Sequence, residues 1–244
     1  MNKEWYKEWF NSDEYLKVYK HRNSEEAIKL VNLILNNIEV TEGASILDLA
    51  CGAGRHAAVF AERLFDVTGI DLSGNLLRIA KDYSFKRNLN TKFIRSDLKY
   101  FQLKKKFDVI VNLFTSFGYF ETDEENYALF ERIYNHLEKP GYFVLDYLNK
   151  NYVKNNLVPS SIDENGDIKI EQKRTILNNR IIKDIKVNKL DKAFNFQESV
   201  RLFSSEEILF NLRLNGFNIE NVFGDFEGNE FKESSPRLII IAKK

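Results

Sequence analysis

Ile46-Leu47-Asp48-Leu49-Ala50-Cys51-Gly52-Ala53-Gly54-Arg55-His56 is the stretch that decides the fold of this 244-residue chain. An apolar run, strand-like over 45–50, carries an acid near its end and opens into a loop of small residues. A helical pattern then starts at Arg55 and runs to about residue 64. Small residues let a backbone turn tightly and approach a ligand closely, and the amides of a helix N-terminus point into the same space. The grammar continues downstream. A strand over 67–70 ends on Asp71, and Ser73 caps a helix bearing Leu76, Leu77, Ile79 and Ala80. A short strand over 93–95 ends at Ser96-Asp97, and strands follow over 107–113 and, after a Pro140-Gly141 turn, over 142–148, with a helix over 124–137 between them. Upstream, Asn23 or Ser24 caps a helix with Ala27, Ile28, Val31, Ile34, Leu35 and Ile38 at helical spacing. Alternating short apolar runs and helical patterns describe a parallel sheet with crossover helices.

Beyond residue 148 the pattern changes. Residues 149–167 read as an irregular connection, and 168–203 as alternating, charge-rich antiparallel strands with Asn178-Asn179 as a hairpin turn, since Asn tolerates positive φ. Ser204-Ser205-Glu206-Glu207 opens a helix with a capping-box pattern that Gly216 closes, and strands over 218–223 and 238–242 end the chain. The expected fold is α/β: a Rossmann-like, seven-stranded, mostly parallel sheet with helices on both faces and an antiparallel β insertion before the last helix. One domain spans 1–244, with an N-terminal helical cap over 1–40 and the insertion over 150–203 as a substrate lid or a homodimer surface.

Composition narrows the function. Lys plus Arg and Asp plus Glu both number 36, so the formal net charge is zero, where a chain that grips phosphate backbones shows a basic excess. The densest basic run, Lys104-Lys105-Lys106, precedes a strand and reads as a solvated turn. Cys51 is the single cysteine, which rules out a disulfide framework within the chain and fits a reducing compartment. The first ten residues lack the apolar core of a signal peptide, and no stretch reaches the length of a membrane span. The expectations are a cytoplasmic protein with no membrane and no nucleic-acid partner. The three histidines are scattered without ligand spacing, so no metal is expected.

Asp48, Asp71 and Asp97 each fall at or near the carboxyl end of a successive strand, where open α/β sheets bind ligands. An acid at the first position can face an ammonium group. At the second, a carboxylate can accept both hydroxyls of a ribose; at the third, Asp97 can accept from the amine of adenine while the Leu98 amide reads the ring edge. Each acid alone has an ordinary structural explanation, such as a turn residue or a helix-start acid. Their order on one sheet edge favours a shared ligand.

These segments, together with Phe114-Thr115-Ser116-Phe117-Gly118-Tyr119-Phe120 after the fourth strand, resemble the successive motifs of class I S-adenosylmethionine-dependent methyltransferases. The likeness covers roughly 45–148 and is most similar to the small-molecule branch, the amino-sugar N,N-dimethyltransferase and glycine N-methyltransferase type. It implies S-adenosyl-L-methionine as cofactor, held by Asp48, Ala50, Cys51, Gly52, Gly54, Asp71, Leu72, Asp97, Leu98 and Leu113, with Tyr19 and Arg22 from an N-terminal segment that folds over it. It implies a small-molecule methyl acceptor near Phe117, Tyr119 and Asn149, methylated on nitrogen or oxygen. Ala50 replaces the first glycine of the commonest loop pattern, and the region after residue 148 matches no acceptor-defining signature.

Methyl transfer asks the protein chiefly to align the reactants and exclude water, and a base is needed only for an acceptor that arrives protonated. Candidate bases are His21, Tyr19 and Asp146; His136, late in a helix, reads as structural, as does Arg237 before the last strand. Cys51 has no activating pattern around it. Two other functions compete. Gly52-Ala53-Gly54-Arg55-His56-Ala57 also fits the fingerprint of an NAD(P)-dependent dehydrogenase, with Asp71 near the expected distance, but that leaves Asp48 and Asp97 unexplained. A nucleic-acid methyltransferase would carry a Pro-Pro-aromatic grip where Asn112-Leu113-Phe114-Thr115 stands.

Overall fold

The computed structural model describes residues 4–19, 24–190 and 192–244. Seven strands make the main sheet, in the order β10-β11-β5-β4-β1-β2-β3. They are β1 (Ser45–Leu49), β2 (Asp66–Asp71), β3 (Thr91–Arg95), β4 (Phe107–Asn112), β5 (Leu137–Leu148), β10 (Asn218–Phe223) and β11 (Arg237–Lys243). β3, β2, β1, β4 and β5 run parallel, and β11 pairs antiparallel with both β5 and β10. Strand alternation sends side chains to two cores. Leu47, Ile110, Leu145 and Ile240 enter one, beneath α6 (Asp123–His136) and α8 (Ser205–Leu214). Ile46, Val109, Val144 and Ile239 enter the other, beneath α3 (Ser24–Leu35) and α4 (Arg55–Glu62). The sequence periodicity therefore describes the sheet and its helix layers correctly. α3, expected as part of a cap, belongs instead to the helix layer beside α4.

Two boundaries move. β5 begins at Leu137, ahead of the Pro140-Gly141 step expected as a turn, because Leu137 pairs with Phe107 before the register shifts. The connection expected to be irregular contains α7 (Lys150–Asn155) and β6 (Ser160–Asn165). β6 is an edge strand whose polar sequence carries no alternation, and it forms because β7 (Ile168–Leu177) offers it a ladder. With β8 (Arg180–Lys189) and β9 (Lys192–Arg201), these strands make a separate antiparallel sheet, β6-β7-β8-β9. The turn between β7 and β8 is Asn178-Asn179, both at positive φ (49° and 56°) as a two-residue hairpin requires. The capping boxes at Thr122 and Ser204 fix the starts of α6 and α8.

Arg180 fastens the insertion to the main sheet. Its guanidinium donates to the carbonyls of Gly118, Tyr119 and Phe120 in the loop after β4, and to Ser199 on β9. α1 (Trp5–Trp9) and α2 (Tyr15–Val18) lie against the same inner face, where Trp5, Tyr6, Trp9 and Val18 cluster with Ile170, Ile185 and Val187. The N-terminal segment thus bridges the two sheets.

Ile240 is fully buried in the centre of β11. Ile240→Ala should lower unfolding stability by about 2–5 kcal/mol, the range for emptying a core site of this size. Chemical denaturation would check this; a loss under ~1 kcal/mol would mean that β11 is not integral to the core.

Candidate functional site

The chain order of the strands reverses beside β1: β2 and β3 lie on one side, β4 and β5 on the other. At such a switch point the loops leaving adjacent strands diverge and open a crevice at the carboxyl ends. A cleft lies there, lined by the ends of β1, β2 and β4 and roofed by Tyr6, Phe10, Tyr15, Leu16 and Tyr19 of the N-terminal segment. Asp48, Asp71 and Asp97 all line it, as do Ala50, Cys51, Gly52, Leu72, Leu98 and Leu113. The register explains the grouping: Asp48 lies beside Gly69, and Asp71 beside Arg95 two residues before Asp97.

The three acids differ in environment. Asp48 is buried, and its Oδ2 has no hydrogen-bond partner. Burial foremost, then the charge of Asp71, pushes its carboxyl up to about 8; the Ala57 amide and the Arg55 charge only partly offset this. A buried carboxyl oxygen left without a donor this close to a cleft is suited to a cationic ligand group. Asp71 is anchored: Oδ2 accepts from the Gly52 amide and Oδ1 from the Ser73 amide, both at 2.8 Å. Burial raises its carboxyl, and those amides oppose the shift. The same contacts tie the loop after β1 to the end of β2. Asp97 accepts from the Lys99 amide at 2.9 Å, an Asx-type turn that holds it at the rim.

Ala50 and Gly52 both take positive φ (57° and 56°), which turns the loop back along the cleft floor. Gly54, expected among the ligand contacts, does not line the cleft. It caps α4 at φ +78°, and a Cβ there would stand 2.9 Å from the Ala80 Cβ, so it serves packing between α4 and α5 (Gly74–Lys86). Cys51 is buried in the floor, and burial raises its thiol, so it stays neutral.

Several other expected residues sit elsewhere. Asp146 is fully buried and paired with Arg237, with Nε to Oδ1 at 2.8 Å, while its Oδ2 accepts from the Phe114 amide at 2.9 Å. It faces the loop after β4 and not the cleft, so it positions that loop and is no candidate base. Arg237 also donates to Thr115 Oγ1 at 3.0 Å. Together they hold Phe114 and Thr115 at φ +60° and +62°, a conformation costly for a β-branched residue. Phe117 is core, stacked on Phe130 at 5.0 Å. Asn149 caps α7 through Oδ1, and its Nδ2 donates to the carbonyls of Lys232, Glu233 and Ser235, which leaves it no free face. His136 accepts from the Leu103 amide and is structural. His21 and Arg22 lie outside the described residues.

A second chamber adjoins the cleft and shares Phe10, Tyr15, Tyr19, Phe114 and Tyr119 with it. Its far wall is the inner face of the insertion, with Arg174, Ile181, Lys183, Glu198 and Val200. The roofing residues Tyr6, Phe10 and Leu16, and the wall residues Arg174, Lys183 and Glu198, escape sequence reasoning. Their one signal is aromatic density at the N-terminus and, on the insertion, alternation without a stated partner. Among the described residues no group of three or more His, Cys, Asp or Glu is placed to hold a metal, and no helix is long and apolar enough to cross a membrane.

Residues 46–141 match the profile of a methyltransferase-domain family. The chain is 33% identical over 121 residues to the dTDP-3-amino-3,4,6-trideoxy-alpha-D-glucopyranose N,N-dimethyltransferase of Streptomyces venezuelae, covering 50% of this chain and 48% of that one. It thus spans about half the length of this curated relative. Over 212 residues it is 27% identical to the putative methyltransferase YqeM of Bacillus subtilis, covering 83% and 85% of the two chains. Among solved structures, an S-adenosylmethionine-dependent methyltransferase from Clostridium acetobutylicum superposes with a TM-score of 0.82 at 18% identity, over 94% of this chain and 95% of that one. The CcbJ methyltransferase of Streptomyces caelestis superposes at 0.79 and 16% identity, over 96% and 97%.

Two predictions come from the buried acids. In the ligand-free protein the folded Asp48 holds a proton up to about pH 8, whereas the unfolded residue releases it near 3.8. Between those values the folded state binds the extra proton, so Asp48 costs stability increasingly as pH rises. Asp48→Asn should therefore raise the melting temperature at pH 8 and hardly at pH 3, below both values; an equal effect at both would sink the assignment. Asp146→Ala should cost about 3–5 kcal/mol because it strands a largely buried guanidinium. Denaturant unfolding with a loss under ~1 kcal/mol would show that the pair is dispensable. Residues 46–141 thus carry the match to a methyltransferase-domain family, and the chain as a whole shares the fold of solved S-adenosylmethionine-dependent methyltransferases.

Proposed function

We propose that this chain is an S-adenosylmethionine-dependent methyltransferase acting on a nitrogen or oxygen of a small molecule. The observation that carries the reading is the convergence of Asp48, Asp71 and Asp97 on one cleft that opens into a second chamber. Three acids in three environments suit three parts of one ligand. Asp48 Oδ2, buried and without a donor, would take the ammonium of the methionine end. Asp71, fixed by two amides yet retaining lone pairs, would take the ribose hydroxyls. Asp97 and the Leu98 amide would take the adenine edge, with Leu72, Leu76 and Leu113 as apolar walls.

The bound cofactor supplies an activated methyl group on a sulfonium. The chain's own task is positioning and exclusion of water. The roof of Tyr6, Phe10 and Tyr15 covers the cleft, and Phe114 and Tyr119 border both spaces, which makes them the passage between donor and acceptor. The insertion serves as a lid over the acceptor, since its inner face walls the chamber. The nicotinamide alternative gives Asp48 and Asp97 no role, and the zero net charge disfavours a nucleic-acid acceptor. A lone cysteine supports a cytoplasmic setting.

Isothermal calorimetry with S-adenosylmethionine tests the reading; no heat at millimolar cofactor would end it. Asp71→Asn keeps the shape but weakens acceptance from the ribose, and should cost about 1.5–3 kcal/mol, or roughly 10- to 150-fold in affinity. Unchanged affinity would move the ribose site elsewhere.

A further inference from the structure

One charged cluster has no part in holding the donor. β7, β8 and β9 place Arg174, Lys183 and Glu198 directly opposite one another, a lateral row across the inner face of the insertion. All three line the second chamber, whose near wall is Tyr19. Glu198 Oε1 accepts from the Tyr19 hydroxyl at 2.5 Å and from Trp9 Nε1 at 2.7 Å. Lys183 Nζ donates to the Tyr19 oxygen, stands 4.4 Å from the Tyr19 ring centroid, and lies 3.3 Å from Glu198 Oε2. The phenol is thus held between a cation and a carboxylate, with its own proton directed at the carboxylate. Arg174 faces Lys183, and like charges directly opposite in a sheet repel. Its guanidinium is held by neutral groups, Gln172 at 2.8 Å and Ser161 at 3.2 Å.

We propose that Tyr19 and Glu198 form a proton relay for the methyl acceptor, and that the accepting atom is an amine nitrogen that arrives as an ammonium. This rests on the methyltransferase reading above. The nitrogen cannot be methylated until a proton leaves and frees its lone pair. That proton passes to the Tyr19 oxygen as the Tyr19 proton passes to Glu198 Oε1, so the ammonium becomes a neutral amine and the carboxylate a carboxylic acid. The proton on Glu198 later leaves to solvent. Lys183 and Arg174 make the chamber positive, which favours the neutral amine over the ammonium. Tyr19, which borders donor and acceptor spaces alike, is the catalytic residue; Glu198 and Lys183 are positioning residues that set its protonation. An aliphatic hydroxyl enters neutral and has no proton of this acidity to lose. Among the described residues, the other titratable groups lining these two spaces are Tyr15 on α2 and Tyr119 on the loop after β4, with Tyr6, Asp48, Cys51, Arg55, His56, Asp71 and Asp97 on the cleft side.

Two measurements on the full chain test this. The first follows methyl transfer to a panel of primary amines and their matched alcohols across pH. Amines should be the substrates. Glu198→Gln, which keeps an acceptor for Trp9, should lower kcat/KM about 100-fold at pH 7, with the loss recovered as pH approaches the pKa of the free amine. Lys183→Met should move the acid limb about one pH unit upward, or about tenfold in rate at pH 7. Turnover of alcohols alone, or a Glu198→Gln profile identical to wild type, overturns the proposal. The second needs no acceptor: the ultraviolet titration of Tyr19, taken as wild type minus Tyr19→Phe. Its midpoint should fall by about one unit in Glu198→Gln and rise by about one in Lys183→Met. If no compound in the panel turns over, this titration decides, and a midpoint unmoved in both variants overturns the relay. Absent binding of S-adenosylmethionine in calorimetry would sink the methyltransferase reading instead, a result read separately from either.

Discussion

Parallel pairing of β1 with β2 on one side and β4 on the other is the constraint on which the rest of this structure depends. Because three neighbouring strands end at the same level, their exits must diverge, and the space between them is the cleft. Backbone hydrogen bonds of the ladder thus do what no side chain could do alone. They bring an acid from position 48, one from position 71 and one from position 97 to the walls of one cavity. The cores on both faces, filled by alternating apolar strand residues and by Phe, Leu and Ile from the helices, hold those strand tips in place.

Charge is distributed with equal economy. Asp71 spends its carboxylate on the amides that shape the loop after β1, and Asp146 spends its own on Arg237 and the loop after β4. Both loops are held in left-handed conformations that the chain would not adopt unaided, at Ala50 and at Phe114-Thr115. Asp48 is the exception among the buried acids, for its Oδ2 has no partner at all. An uncompensated buried acid is destabilising unless a ligand answers it.

The insertion and the N-terminal segment close the other side. Arg180 docks the antiparallel sheet on loop carbonyls, and Trp9 and Tyr19 reach Glu198 from the opposite wall. Two segments 179 to 189 residues apart in sequence are thereby joined through one carboxylate. The chamber between them has both apolar and charged walls, and among the described residues it meets the cleft along Phe10, Tyr15, Tyr19, Phe114 and Tyr119.

The sequence by itself determined the seven-stranded sheet, its two helix layers, the hairpin at Asn178-Asn179 and the three strand-tip acids. All of these rest on local signals: alternation, capping residues and small-residue turns, which depend on neighbours within a few positions. Tertiary structure alone decided which acids stay available and which are consumed. Asp146 and Asn149 look like ligand-facing residues in sequence, yet Arg237 claims the first and three distant carbonyls claim the second. Phe117 reads as pocket wall but stacks in the core, and Gly54 reads as a ligand contact but packs against Ala80. The row of Arg174, Lys183 and Glu198 was likewise invisible, because cross-strand register and the partner of an alternating face are set only when separate parts of the chain meet.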